Sequence, residues 1–183
     1  SAVIEISDSN DDGWVSFNEF HDDSWDGYKV RTAGYFRAGR FGAEEDRAIL
    51  RFDVGSLAGA RFNKATLRLT VQYDRYDVFR EFSAQGMIVE HLDIGSSISN
   101  GDWSKYVPDD DILDRYSRTG DEGRSIELNV TDGVRHALAK DAENALVSFR
   151  LRFPDARSST GLHYVAFYSS DYGLDKAPVL IIE

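Results

Sequence analysis

With 183 residues, 32 acidic against 21 basic side chains and a formal net charge of −11, the chain is an acidic protein of single-domain size. That balance argues against nucleic acid or an anionic membrane surface as partner, because such binding needs many cations meeting phosphates. The lack of cysteine excludes disulfides, thiolate metal sites and cysteine nucleophiles, while 13% aromatic residues, 15 glycines and only 3 prolines suit short strands joined by tight turns.

In chain order, strands are expected over residues 2–7, 14–20, 28–37, 47–54, 64–73, 84–92, 125–130, 145–153, 163–169 and 179–183. One helix is expected over Thr131–Lys140, with Thr131 as its N-cap and Val134, Ala137 and Leu138 as its apolar stripe. Residues 95–123 read as a long ordered excursion with one turn near 112–116, the kind of loop that carries function in a compact domain. No repeat or linker divides the chain, so residues 1–183 are one domain: an all-β sandwich of jelly-roll type with one short helix. No apolar run is long enough to span a membrane, and the start at Ser1-Ala2 reads as a mature or excised segment.

Strand alternation places Leu50/Phe52, Leu67/Leu69 and Phe149/Leu151 in the core and turns Arg51, Arg68, Arg150 and Arg152 outward. On an acidic chain such a basic stripe points to recognition of a specific anion. Guanidinium groups stay ionised and donate paired hydrogen bonds to carboxylates, which a uronic acid polymer presents at regular intervals. Arg37, in Tyr35-Phe36-Arg37-Ala38-Gly39-Arg40, extends the set. The competing reading is cross-strand pairing with Asp53, Glu90 or Glu127 on an open face.

The string Arg47-Ala48-Ile49-Leu50-Arg51-Phe52-Asp53-Val54-Gly55-Ser56-Leu57, followed by Ala65-Thr66-Leu67-Arg68-Leu69, resembles the DNRLRE domains, which include disaggregatase-related domains and carbohydrate-binding module family 96. Asp11-Asp12-Gly13-Trp14-Val15, Asn129-Val130-Thr131 and Phe167-Tyr168-Ser169-Ser170 with Pro178-Val179-Leu180-Ile181-Ile182 agree in order, so the resemblance covers nearly the whole chain. It implies a noncatalytic jelly-roll module of a secreted or cell-surface multidomain protein, monomeric as a module, with alginate binding known for some members. After Gly95 the chain departs from the family pattern, keeping only Asp102-Trp103 of a Trp-rich segment.

Rings stack on the apolar faces of sugars, and Trp25 and Trp103, both preceded by polar turn residues, are the expected platform, with Tyr28, Tyr73, Tyr76 and Tyr106 as further candidates. The segment from Asp8 to Glu19 matches an EF-hand loop, with Asp8, Asn10, Asp12, Ser16 and Glu19 at oxygen-ligand positions and Gly13 at the turn, so calcium is a candidate cofactor. Its context is that of a strand rather than a helix–loop–helix. The histidines His21, His91, His136 and His163 share no metal-ligand spacing, and no nucleophile or phosphate-loop motif occurs, so no catalytic residue is assigned. The expected function is binding of an acidic polysaccharide such as alginate; the alternative is a structural or adhesive module without a glycan site.

Overall fold

The computed structural model describes residues 1–6, 8, 10–18, 27–108, 111–118, 122–159 and 161–183. Within them lie β1 (Ala2–Glu5), β2 (Asp12–Asn18), β3 (Gly27–Arg31), β4 (Tyr35–Phe41), β5 (Glu44–Asp53), β6 (Ala65–Arg75), β7 (Met87–His91), β8 (Ile112–Tyr116), β9 (Ser125–Asn129), β10 (Leu146–Arg152), β11 (Leu162–Tyr168) and β12 (Val179–Ile182). A single-turn helix α1 (Val78–Glu81), a three-turn helix α2 (Thr131–Lys140) and short 3-10 segments at Gly55–Leu57, Asn100–Asp102 and Pro154–Ser158 accompany them.

Every pairing is antiparallel. One sheet runs β1-β12-β6-β9. The other runs β11-β4-β5-β10-β7-β8, with β2 on β5 and β3 on β2. The long strand β6 belongs to both: Ala65–Arg68 pairs with β12, and Val71–Arg75 pairs with β11 past a bulge. Period-2 alternation then fills the space between the sheets. Leu67, Leu69, Ile126, Leu128 and Leu180 face Leu50, Phe52, Val89, Phe149 and Leu151, all fully buried. The fold is an all-β sandwich with one helix longer than a turn.

Helix α2 packs against β10, β6 and β8, and so touches both sheets. Val134 and Ala137 enter the core and Leu138 packs at its margin, as their spacing requires. Gly133 allows the close approach: a Cβ there would lie 3.1 Å from the Phe149 ring. Thr131 is not the N-cap. It is the first helical residue, and its Oγ1 accepts from the Ala65 N–H at 3.0 Å, tying the helix to the start of β6.

Other boundaries shift for local reasons. The single strand expected over 28–37 is two strands, β3 and β4, separated by residues 32–34, because their partners differ: β3 pairs with β2, β4 with β11 and β5. The expected turn near 112–116 is strand β8, which pairs with β7 across a bulge between Val89 and Glu90.

Candidate functional site

The alternation that sends Arg51, Arg150 and Arg152 away from the core is present, but the face they reach is covered. Val15 and Ile49, outward-facing on β2 and β5, form a second apolar cluster with Ile98 and Trp103, flanked by Phe17, Tyr28, Val30 and Ile94. The loop over residues 93–106 lies on this cluster, and the arginines hold it there. Arg51 donates to the carbonyls of Gly95 (2.8 Å) and Ser96 (2.9 Å), and its Nη2 meets Asp11 Oδ1 at 2.5 Å. Arg150, 2% exposed, donates through Nη1 to the carbonyls of Asp102 (2.8 Å), Trp103 (3.1 Å) and Lys105 (2.8 Å), and through Nε to Glu90 Oε2 (2.7 Å). Arg152 takes the other Glu90 oxygen, its Nε at 2.9 Å.

Arg47 completes the clamp: it donates to the Trp103 carbonyl at 2.6 Å, pairs with Glu45 at 3.1 Å and lies 3.7 Å from the indole centroid. Trp103, expected as an exposed platform, is 4% exposed and donates its Nε1–H to the Glu45 carbonyl at 3.0 Å. Burial alone would raise the Glu90 carboxyl, but the hydrogen bonds and charges of Arg152 and Arg150 outweigh it and hold it below its ordinary value. Burial and the neighbouring Arg150 and Arg152 pull Arg47 down to about 10 against the pull of Glu45, so it stays a cation at neutral pH.

Arg68 does not join this group. It sits on β6 beside Val179 and Glu127, on the outer face of the other sheet, and donates to the Leu174 carbonyl at 3.1 Å. The four arginines therefore do not form one open stripe. The Glu90 pairing weighed at sequence level is present for Arg150 and Arg152.

Over Asp12–Asn18 the EF-hand spacing is not wrapped into a loop. Asp12 and Ser16 lie four residues apart in extended β2, about 13 Å along the strand, too far to share one cation. Asp12 accepts from Ser170 N (2.6 Å) and Ser170 Oγ (3.0 Å), and Ser16 donates to Asp46 Oδ1 at 2.5 Å. Asp8 Oδ1 accepts from both nitrogens of Asn10 in an Asx turn, at 2.9 and 3.1 Å. Glu19 and Trp25 lie outside the described residues. Among the described residues no three metal-ligand side chains converge, although β7 and α2 bring His91 and His136 to a ring separation of 5.0 Å.

A different surface gathers rings and a guanidinium. On β4 the core takes Phe36 and Ala38, and Arg37 leaves in the other direction. Its guanidinium lies 4.5 Å from the Phe41 ring, 5.2 Å from Tyr164 and 5.3 Å from Trp14. A chain of ring contacts runs Tyr35 to Tyr73 (6.0 Å), Tyr73 to Tyr164 (6.1 Å) and Tyr164 to Phe41 (5.6 Å), with the exposed Arg75 over Tyr73 at 5.8 Å. Tyr35 and Tyr73 are half-buried and Phe41 is 40% exposed, so these three rings reach solvent, while Tyr164 and Arg37 between them are buried. Gly39 makes the packing possible: at φ +126° it places no Cβ where one would sit 2.4 Å from the His163 carbonyl oxygen and 2.7 Å from Tyr164 Cα.

Carboxylates fix Arg37 from below. Its Nε pairs with buried Asp46, and its Nη2 reaches Glu44 at 3.4 Å, which Arg31 also meets at 3.5 Å. Burial and then Asp46 raise the Glu44 carboxyl, against Arg31 and Arg37; burial, then Tyr35 and Tyr164, raise the Tyr73 hydroxyl. The sequence signal for this surface is the alternation Tyr35, Arg37, Gly39, Phe41 on one strand. What it lacks is Tyr164 and Tyr73, which the register brings opposite Gly39 and Ala166.

No protein-family model matches the chain, and no curated protein matches it. Among the described residues no helix is long and apolar enough to cross a membrane.

Proposed function

We propose that the chain is a noncatalytic, extracellular carbohydrate-binding module for an acidic polysaccharide, of which alginate is the representative, serving a larger multidomain protein. The observation that carries this reading is the row of ring contacts Tyr35, Tyr73, Tyr164 and Phe41, in which Tyr35, Tyr73 and Phe41 reach solvent over buried Tyr164 and Arg37, with the exposed Arg75 beside Tyr73. Rings of this kind stack on sugar faces, and adjacent guanidinium groups donate to hydroxyls and carboxylates. The resemblance of the segment from Arg47 to Leu57 to DNRLRE domains supports the same reading.

The test is native affinity electrophoresis in gels containing alginate, pectin, a sulfated glycan or a neutral glycan, each with calcium and with chelator. Retardation in acidic gels, reduced in Tyr73→Ala and Phe41→Ala, is the expected result; loss with chelator would bring calcium into the contact. Equal retardation of both variants and the wild type would remove this face. One observation favours the second reading, a structural or adhesive module without a glycan site: Arg51, Arg150 and Arg152 are paired internally, and Arg51 and Arg150 hold the 93–106 loop. Absence of retardation in every gel would select that reading.

A further inference from the structure

Each sheet ends in a strand with one partner among the described residues: β8 pairs with β7, and β9 with β6. These two strands approach each other, and the sandwich is only partly closed between them. At one end Asp114 Oδ2 on β8 accepts the Asn129 N–H of β9 at 2.7 Å. Residues from 115–118 and 124–127 line a cleft of about 610 Å³, among them Arg115, Tyr116, Arg118, Arg124, Ser125 and Glu127.

Three guanidinium groups thus meet around one cleft, with Glu127 as the one acid among the described residues of its lining, on a chain whose formal net charge is −11. Edge strands commonly carry scattered charges that discourage pairing with other chains. Convergence of one sign on a cleft goes further, because low-dielectric walls focus the field and concentrate a counter-ion. The backbone that presents Arg124 is fixed by β6: Val71 donates to the Arg124 carbonyl at 2.9 Å, and Gly123 N donates to the Val71 carbonyl at 2.8 Å. Arg115 is exposed and makes a long contact of 3.4 Å to the Gln85 carbonyl. Tyr116, half-buried with its ring edge-on to Phe79 at 5.3 Å, walls the other side. The volume falls in the range of roughly 300–1,000 Å³ typical of small-ligand sites, enough for a short saccharide.

We propose that the cleft between β8 and β9 is a site for the oxyanions of an acidic saccharide, with Arg115, Arg118 and Arg124 as the groups that take them. The ligand class rests on the function proposed above, but the location does not. Round the β8 side the cleft lies four strands from β4, but on the β9 side Arg124 lies opposite Val71, two residues from Tyr73 on β6, so Phe41 on β4 is the residue that reports the aromatic face apart from the cleft.

The experiment is an NMR titration of the full chain, following arginine Nε–Hε and backbone amide resonances, with trigalacturonate, maltotriose and sodium sulfate. Ionic strength is matched, because exposed charges are screened over about 10 Å at 0.1 M salt. Saturable shifts at Arg115, Arg118 and Arg124 with trigalacturonate are expected. Maltotriose should give none, and sulfate should bind roughly tenfold or more weakly, since a single small ion cannot use the whole cleft. The variant R115Q/R118Q/R124Q should lose roughly tenfold or more in affinity, with only a small fall in thermal midpoint since all three side chains are exposed.

Shifts at Phe41 with a silent cleft would overturn this site and leave the aromatic face standing. Cleft shifts with a silent aromatic face would sustain this site and remove the other. Equal response to sulfate and trigalacturonate, full affinity in the triple variant, or no response anywhere would each overturn the proposal.

Discussion

Replacing Arg150 by alanine removes the group on which the 93–106 loop depends most. Arg150 is 2% exposed and Glu90 0%. The substitution deletes a charge-assisted bond to Glu90 and strips the carbonyls of Asp102, Trp103 and Lys105 of a shared donor. Removing one member of a buried ion pair costs about 3–5 kcal/mol, because the remaining charge is left uncompensated. Glu90 keeps Arg152, whose side chain is 24% exposed, which places the expected loss near the lower end, about 3 kcal/mol. For a chain of this size that corresponds to a fall of roughly 6–12 °C in thermal midpoint. Urea denaturation followed by circular dichroism gives the number directly. Arg68→Ala is the internal comparison: its half-exposed side chain makes one bond, to the Leu174 carbonyl, and its loss should cost about 1 kcal/mol or less. Equal and small losses in the two variants would refute the clamp, since they would mean that Arg150 is as accessible to water as Arg68.

Three further outcomes follow from the geometry. Burial raises the Asp12 carboxyl from 3.8 to about 6, against the bonds from Ser170 and with help from Asp171 and Asp11. A carboxyl raised on folding favours the native state when protonated; that contribution is full below about pH 4 and is lost as pH rises through about 6. Asp12→Asn should therefore gain on the wild type by about 2–3 kcal/mol between pH 4 and pH 7; a stability difference that stays flat across that range in urea titrations would contradict the burial of the charge. Gly39→Ala should cost about 3 kcal/mol or more, because its Cβ would meet the His163 carbonyl at 2.4 Å. Gly42→Ala, at φ +59° with open space around it, should cost about 1 kcal/mol, and similar midpoints for the two would show that β4 and β11 can separate freely. Trp103→Ala should cost about 3–5 kcal/mol and speed amide exchange in residues 93–106; unchanged exchange would mean the loop is held without its indole.

Much of the architecture is decided by the sequence alone. Alternation of apolar residues assigns Leu50, Phe52, Leu67, Leu69, Phe149 and Leu151 to the core, and the 3.6-residue period of Val134, Ala137 and Leu138 marks the one substantial helix. These are local periodicities, and one buried face is enough to enforce them. The direction of the arginines is legible for the same reason.

Whether those arginines meet solvent is a long-range property. It depends on a loop more than 40 residues from Arg51 and Arg150 folding back across the sheet, drawn by Trp103 and Ile98 onto Val15 and Ile49. The same holds for the aromatic row, whose members come from β4, β6 and β11 and meet only through register, and for the cleft that joins β8 to β9. Within the calcium-like spacing, Asp12–Asn18 is drawn out for the complementary reason: ladder bonds to β5 and β3 extend these residues, which sets Asp12 and Ser16 too far apart to share one cation. Periodicity fixes which way each side chain points, and only the packing of distant segments fixes what it meets there.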